Sequence, residues 1–182
     1  DLETQLQYKT STNRGIWMIL GGYSFLKSED VKLVSSTFAH IRYNRKVTEW
    51  LRWEIFTQFQ RNLVTQINSR ILAGTGPRFK LIKTNKFRLY AASLVMYEQE
   101  NEKTTPVVRH RDLRSSSYFS FTWLPKENIE MISTTYFQPL FNNFKDHRIL
   151  NSISFKIKAS PHFSLSVKWN YLHDRFPAGT AP

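Results

Sequence analysis

Between residues 115 and 171 apolar and polar side chains alternate with a strictness that few soluble chains sustain. Phe119, Phe121 and Trp123 alternate with Ser120 and Thr122, and Ile153, Phe155 and Ile157 with Ser154, Lys156 and Lys158. Phe163, Leu165, Val167, Trp169 and Tyr171 alternate with Ser164, Ser166, Lys168 and Asn170. Successive strand side chains point to opposite faces, so each segment has one aromatic and aliphatic face and one face of hydroxyls, amides and cations. A soluble sandwich buries the first face and wets the second. A transmembrane β-barrel turns the first toward lipid and the second toward its lumen, and this arrangement explains more of the chain.

Composition supports the same class. At 41% hydrophobic and 15% aromatic, 182 residues suffice for one sizeable ordered domain. No run approaches the roughly 18 apolar residues of a spanning helix, which excludes a helical membrane protein. The mean hydropathy of −0.44 does not exclude a barrel, because the polar half of each strand offsets the apolar half. Cysteine is absent, which removes disulfides and thiolate metal sites and suits passage through an oxidising periplasm.

A net charge of +12 raises nucleic acid as a partner. The cations are scattered at single alternate positions, with no stripe, tail or ribonucleoprotein signature, so no nucleic-acid partner is expected. A basic solvated strand face is the simpler reading.

Turn signals divide the chain into ten candidate strands at about 3–10, 15–26, 31–44, 47–60, 65–80, 85–99, 113–124, 128–140, 147–158 and 162–174. Each reaches or approaches the ~9–11 residues that cross a bilayer. Connections at 11–14, 44–46, 81–84, 125–127 and 159–161 are tight, as periplasmic turns are. Those at 27–30, 61–64, 100–112, 141–146 and beyond 175 are longer on average and more charged, as outward loops are. Trp17, Tyr43, Trp53, Trp123 and Phe163 lie near the tight turns, and Tyr23, Phe25, Tyr97, Tyr136 and Tyr171 near the other ends. That spacing predicts two aromatic girdles, in which Trp17, Trp53, Trp123, Phe163 and Tyr171 face lipid.

If the aromatic positions face lipid, Arg42, Arg52, Glu54, Arg70, Arg78, Lys80, Arg88, Glu130, Lys156, Lys158 and Lys168 fall in register on the lumen side. Buried charges need partners, so Glu54 and Glu130 are expected to neutralise two of the arginines. The remaining cations favour anions if the lumen is wet.

Catalytic constellations are weak. His40, His110, His147, His162 and His173 are dispersed, with no zinc pattern. Ser115, Ser116 and Ser117 follow His110, and His173 precedes Asp174, which leaves room for a lipid-modifying enzyme of deacylase or lipase type. Serines of this sort are far more often lumen or loop hydroxyls. Gly74-Thr75-Gly76 resembles a phosphate-loop fragment, but no helix follows it, so thinned strand packing is the better account. No catalytic residue, cofactor or metal is assigned.

The run Thr48-Glu49-Trp50 through Phe59-Gln60-Arg61-Asn62, followed by Arg70-Ile71-Leu72-Ala73-Gly74-Thr75-Gly76-Pro77-Arg78-Phe79, resembles paired strands of the salt-induced outer-membrane protein family. Asn85-Lys86-Phe87-Arg88-Leu89 is similar to the next strand of that family. Asp174-Arg175-Phe176-Pro177-Ala178-Gly179 is similar to the loop before its last strand. The resemblance covers about residue 31 to the end and implies an all-β, antiparallel up-and-down transmembrane barrel of a Gram-negative outer membrane with largely unassigned function. Two departures stand out. Pro77 replaces a small residue and belongs at a strand end or bulge, and the chain stops in a loop-like Gly179-Thr180-Ala181-Pro182 instead of an aromatic-ended strand. Residues 1–182 are therefore expected to form one barrel domain lacking its first and last strands, ten of about twelve.

Functional expectations follow from this. The chain is expected to be a non-enzymatic integral protein of the bacterial outer membrane, either an accessory or scaffold subunit of an assembly or a small anion-favouring pore. Expected partners are outer-membrane lipids, lipopolysaccharide and other outer-membrane proteins.

Overall fold

Ten antiparallel strands follow one another in chain order and pair with their sequence neighbours to form a single sheet, β1 to β10. The computed structural model describes residues 2–26, 34–62, 67–102, 108–160 and 163–176, none of which is helical. The strands are β1 (Leu2–Ser11), β2 (Gly15–Leu26), β3 (Val34–Lys46), β4 (Leu51–Asn62), β5 (Ile67–Lys83), β6 (Phe87–Glu102), β7 (Arg109–Lys126), β8 (Ile129–Pro139), β9 (His147–Lys158) and β10 (Ser164–Asp174). The period of two and the turn signals thus give the right number, order and pairing.

The sheet is strongly curved, and its side-chain contacts show how far. Adjacent strands lie ~4.8 Å apart, so strands three places apart in a flat sheet are beyond hydrogen-bonding reach. Yet Tyr118 Oη on β7 donates to Glu54 Oε2 on β4 at 2.7 Å, and Arg42 Nη2 on β3 donates to Tyr136 Oη on β8 at 3.3 Å. The face carrying these residues is concave, and the molecule is a half-barrel. On that inner face Phe56, Leu72, Ala92, Leu94, Met96 and Tyr118 form a buried apolar cluster, with Tyr136 packed against it. The convex face carries the exposed apolar side chains, among them Ile55, Phe119, Leu165 and Val167.

Several boundaries differ from the sequence expectation, each for a local reason. β4 begins at Leu51, not 47, because the Leu51 N–H is taken by Thr48 Oγ1 at 3.0 Å while the Leu51 carbonyl accepts from Val47 N at 3.1 Å. Glu49 in that turn pairs with Lys46, and the ammonium holds its carboxyl below the ordinary value. Most of 100–112, expected to be an outward loop, is strand: β6 runs to Glu102 and β7 starts at Arg109. Of the connections expected to face outward, 27–30 lies outside the described residues, as do 63–64 of 61–64 and most of the tail beyond 175. Pro77 sits neither at a strand end nor at a bulge. It lies on the convex face inside β5, opposite Trp53, where the ladder to β6 passes from Thr75↔Val95 to Arg78↔Ala92 without pairing residues 76 and 77. Proline has no N–H to give, and the β5–β6 ladder is interrupted where it stands.

Gly74 and Gly76 are fixed by close approach. A Cβ at Gly74 would stand 2.4 Å from the Phe56 ring, and one at Gly76 2.4 Å from the Ser93 carbonyl oxygen. They let the inner face of β5 accept Phe56 and draw close to β6, which is the packing role expected of them.

Candidate functional site

The inner face carries the polar chemistry, divided into two zones along the strands. Strand register places every charged residue expected there on this one face: Arg52 opposite Arg78, Arg70 opposite Glu100, Glu130 opposite Lys156 and Lys168 opposite Ser154. Arg42, Glu54, Arg88 and Lys158 keep the same parity.

The first zone lies toward the ends of the strands away from the tight turns. Its centre is Glu98, 1% exposed. Arg70 Nε and Arg148 Nη1 each lie 2.5 Å from Glu98 Oε1, and Arg114 Nε lies 2.8 Å from Oε2. Glu100 adds contacts to Arg70 at 3.3 Å and Arg148 at 3.5 Å. The far sides of two arginines are held by Asp146 (2.8 Å from Arg114 Nη1) and Asp174 (2.5 Å from Arg148 Nε). Three guanidinium groups and four carboxylates from β5, β6, β7, β9, β10 and the segment before β9 thus form one belt. Charges this deep persist because each is paired on more than one side.

Of this belt only Arg70 was marked in the sequence. The signal for the rest is the alternation of Glu98, Glu100 and Glu102, which the turn pattern divides between a strand end and a loop. Glu102 is buried and lies 3.1 Å from His110 Nε2. Lys103 lies outside the described residues.

Between the zones, Glu54 accepts from Tyr118 and lies 3.4 Å from Arg42 Nε, as expected for a carboxylate neutralising an arginine. Glu130 does not do the same. It stands opposite Lys156 in register, and no ion pair joins it to an arginine among the described residues. A cavity of about 380 Å³ opens here, lined by Phe38, Phe56, Leu72, Met96 and Tyr136 with Arg42 at its wall.

The second zone lies toward the tight turns. Arg52, Arg78, Lys80, Arg88, Lys156 and Lys158 share the inner face there, Lys168 follows at mid-strand, and Glu130 is the carboxylate among them. The Arg78 guanidinium lies 4.2 Å from the Tyr90 ring centroid.

The convex face bears the girdle residues. Trp17, Trp53 and Trp123 lie on it near the tight turns, and Trp17 stacks on Tyr43 at 4.5 Å. Tyr171 lies on it toward the opposite ends, beside Trp169. Phe163 is exposed in the turn before β10. Tyr136, expected in a girdle, points inward, because on β8 it shares parity with Tyr118 across the ladder.

The candidate serines do not meet a histidine in the described contacts. Ser115 and Ser117 bond each other at 3.2 Å, Ser117 also bonds Ser93, and Ser116 accepts from Gln138. His173 and Asp174 point to opposite faces, Asp174 toward Arg148. Among the described residues no group of three or more potential metal ligands occurs.

An all-β half-barrel of neighbour-paired antiparallel strands, with a charged inner face and an apolar outer one, is porin-like. A NanC porin in a rhombohedral crystal form matches with a TM-score of 0.60 at 11% identity, over 93% of this chain and 80% of that one. The chain belongs to the family described as "Protein of unknown function, DUF481", whose model matches residues 1–181. That description carries no salt-induced designation. No curated protein matches the chain.

Proposed function

We propose that this protein is an integral, non-enzymatic β-barrel of the bacterial outer membrane that provides a narrow, anion-favouring passage. The observation that carries the reading is the charge of the inner face near the tight turns, where Arg52, Arg78, Lys80, Arg88, Lys156 and Lys158 outnumber the carboxylate Glu130. In a confined wet space such a lining concentrates anions and repels cations. The porin-like fold and the apolar convex face, with aromatic residues toward both strand ends, support the membrane setting. Replacing Arg52, Arg88 and Lys168 together by neutral residues lowers anion preference in single-channel recordings if the reading holds. A preference unchanged in the triple variant contradicts it.

A second reading, an accessory or scaffold subunit, is favoured by a different observation: the belt around Glu98 packs one end of the inner face with buried ion pairs. It predicts no conductance from the purified protein, together with loss of a co-purifying membrane complex when the protein is removed. Lipopolysaccharide phosphates are the proposed contacts of the exposed Arg109 and Arg111 near the start of β7.

A further inference from the structure

Arg52 and Arg78 stand directly opposite each other on β4 and β5, on the inner face. Directly opposed residues have Cβ atoms about 4.5–5.5 Å apart, and like charges so placed destabilise a sheet. Elsewhere this inner face gives its deepest arginines carboxylates: Arg70, Arg114 and Arg148 share Glu98, and Arg42 has Glu54. Arg52 and Arg78 make no ion pair among the described residues. The carboxylate one ladder step away, Glu54, is already engaged by Arg42 and by the Tyr118 hydroxyl. Arg78 also has a buried Nε–H with no acceptor among the described residues, while its guanidinium carbon lies over the Tyr90 ring, 4.2 Å from the centroid. Attraction of the cation to the ring face uses none of its N–H groups and leaves them for a partner. Lys80, the next inward residue on β5, adds a third cation.

We propose that Arg52 and Arg78, with Lys80 beside them, form a binding site for a doubly charged oxyanion, the phosphate group of a small solute. Two adjacent guanidinium forks match two edges of a phosphate, and each contributes charge-assisted, bidentate hydrogen bonds. A dianion removes the like-charge repulsion and satisfies the buried Nε–H, which a monovalent halide does only in part. The site rests on the anion-favouring reading of the inner face and names what that face holds.

The test is calorimetric titration of inorganic phosphate into the folded barrel in maltoside micelles, which carry no phosphate of their own. Wild-type protein binds saturably, Arg52→Gln/Arg78→Gln weakens binding about tenfold or more, and Arg78→Lys falls between them. Lys126→Gln, exposed at the β7–β8 turn, leaves binding unchanged. Equal affinity in the double variant, or no saturable binding by the wild type, overturns the site. Should the double variant fail to fold, melting of the wild type decides: added phosphate raises its midpoint more than chloride of equal ionic strength, and an equal effect of both overturns the proposal. Displacement by soluble glycerol phosphate supports a solute site, whereas displacement by phosphatidylglycerol alone overturns it. Binding in micelles does not depend on conduction. A barrel that binds phosphate but passes no ions therefore keeps the site and loses the passage, and an anion-selective barrel that binds none does the reverse.

Discussion

Glu98 shows how a single buried carboxylate organises one end of the half-barrel. Its two oxygens face Arg70, Arg114 and Arg148 within 2.8 Å. Glu98→Gln keeps the shape but leaves three guanidinium groups with less counter-charge, and breaking buried pairs in this way costs about 3–5 kcal/mol. Urea unfolding of the barrel should show a loss of that order, and adding Arg114→Gln should recover part of it, because the two sites are coupled. A loss below about 1 kcal/mol for Glu98→Gln would mean that the belt is replaceable by water. The sequence made the parity of these residues readable once the strand was extended, as it did for Arg70. It did not say which strands meet across the interior, since Glu98 and Arg148 are joined by curvature and not by spacing.

Among the elements, β5, β6 and β7 are the longest, with 17, 16 and 18 residues against the ~9–11 needed to cross a bilayer. The surplus at one end carries Glu100, Glu102, His110 and Arg111, whose polar character suggested a loop. Polarity alone cannot separate a loop from a strand that runs on, and the antiparallel ladder from Asn101↔Arg109 to Phe87↔Trp123 shows strand. The glycines of β5 give a sharper test. Gly76→Val places a Cβ 2.4 Å from the Ser93 carbonyl, which cannot swing aside, whereas Gly21→Ala on β2 meets nothing nearer than Leu6 Cβ at 3.8 Å. The first variant should lose most of its heat-modifiable, folded form on electrophoresis, and the second should keep it. Equal yields would contradict the close β5–β6 contact. On the convex face, Phe121→Arg should cost ~2–4 kcal/mol if it lies near the membrane midplane, measured by unfolding from lipid vesicles.

At the scale of the whole molecule, ten strands make one curved sheet whose charged residues lie on the inner face as the alternation foretold, beside an apolar cluster of Phe56, Leu72, Leu94 and Met96 that it did not. The fold was legible because a period of two repeated over ten segments leaves few other arrangements, and a one-residue slip anywhere would put lysines among the phenylalanines. Curvature was less legible: the contacts that reveal it, Tyr118 to Glu54 and Arg42 to Tyr136, join strands far apart in the sequence, and no local pattern announces them. The central claim is that the convex face meets lipid and the concave face meets water. Because the chain has no cysteine, single cysteines can be placed at will. Spin labels at Phe119, Ser120, Phe121, Ser166, Val167 and Lys168 in vesicles should alternate, with oxygen accessibility high at Phe119, Phe121 and Val167 and accessibility to a water-soluble nickel reagent high at Ser120, Ser166 and Lys168. Alternation in the opposite phase, or uniform accessibility to the water-soluble reagent at all six, would contradict the account.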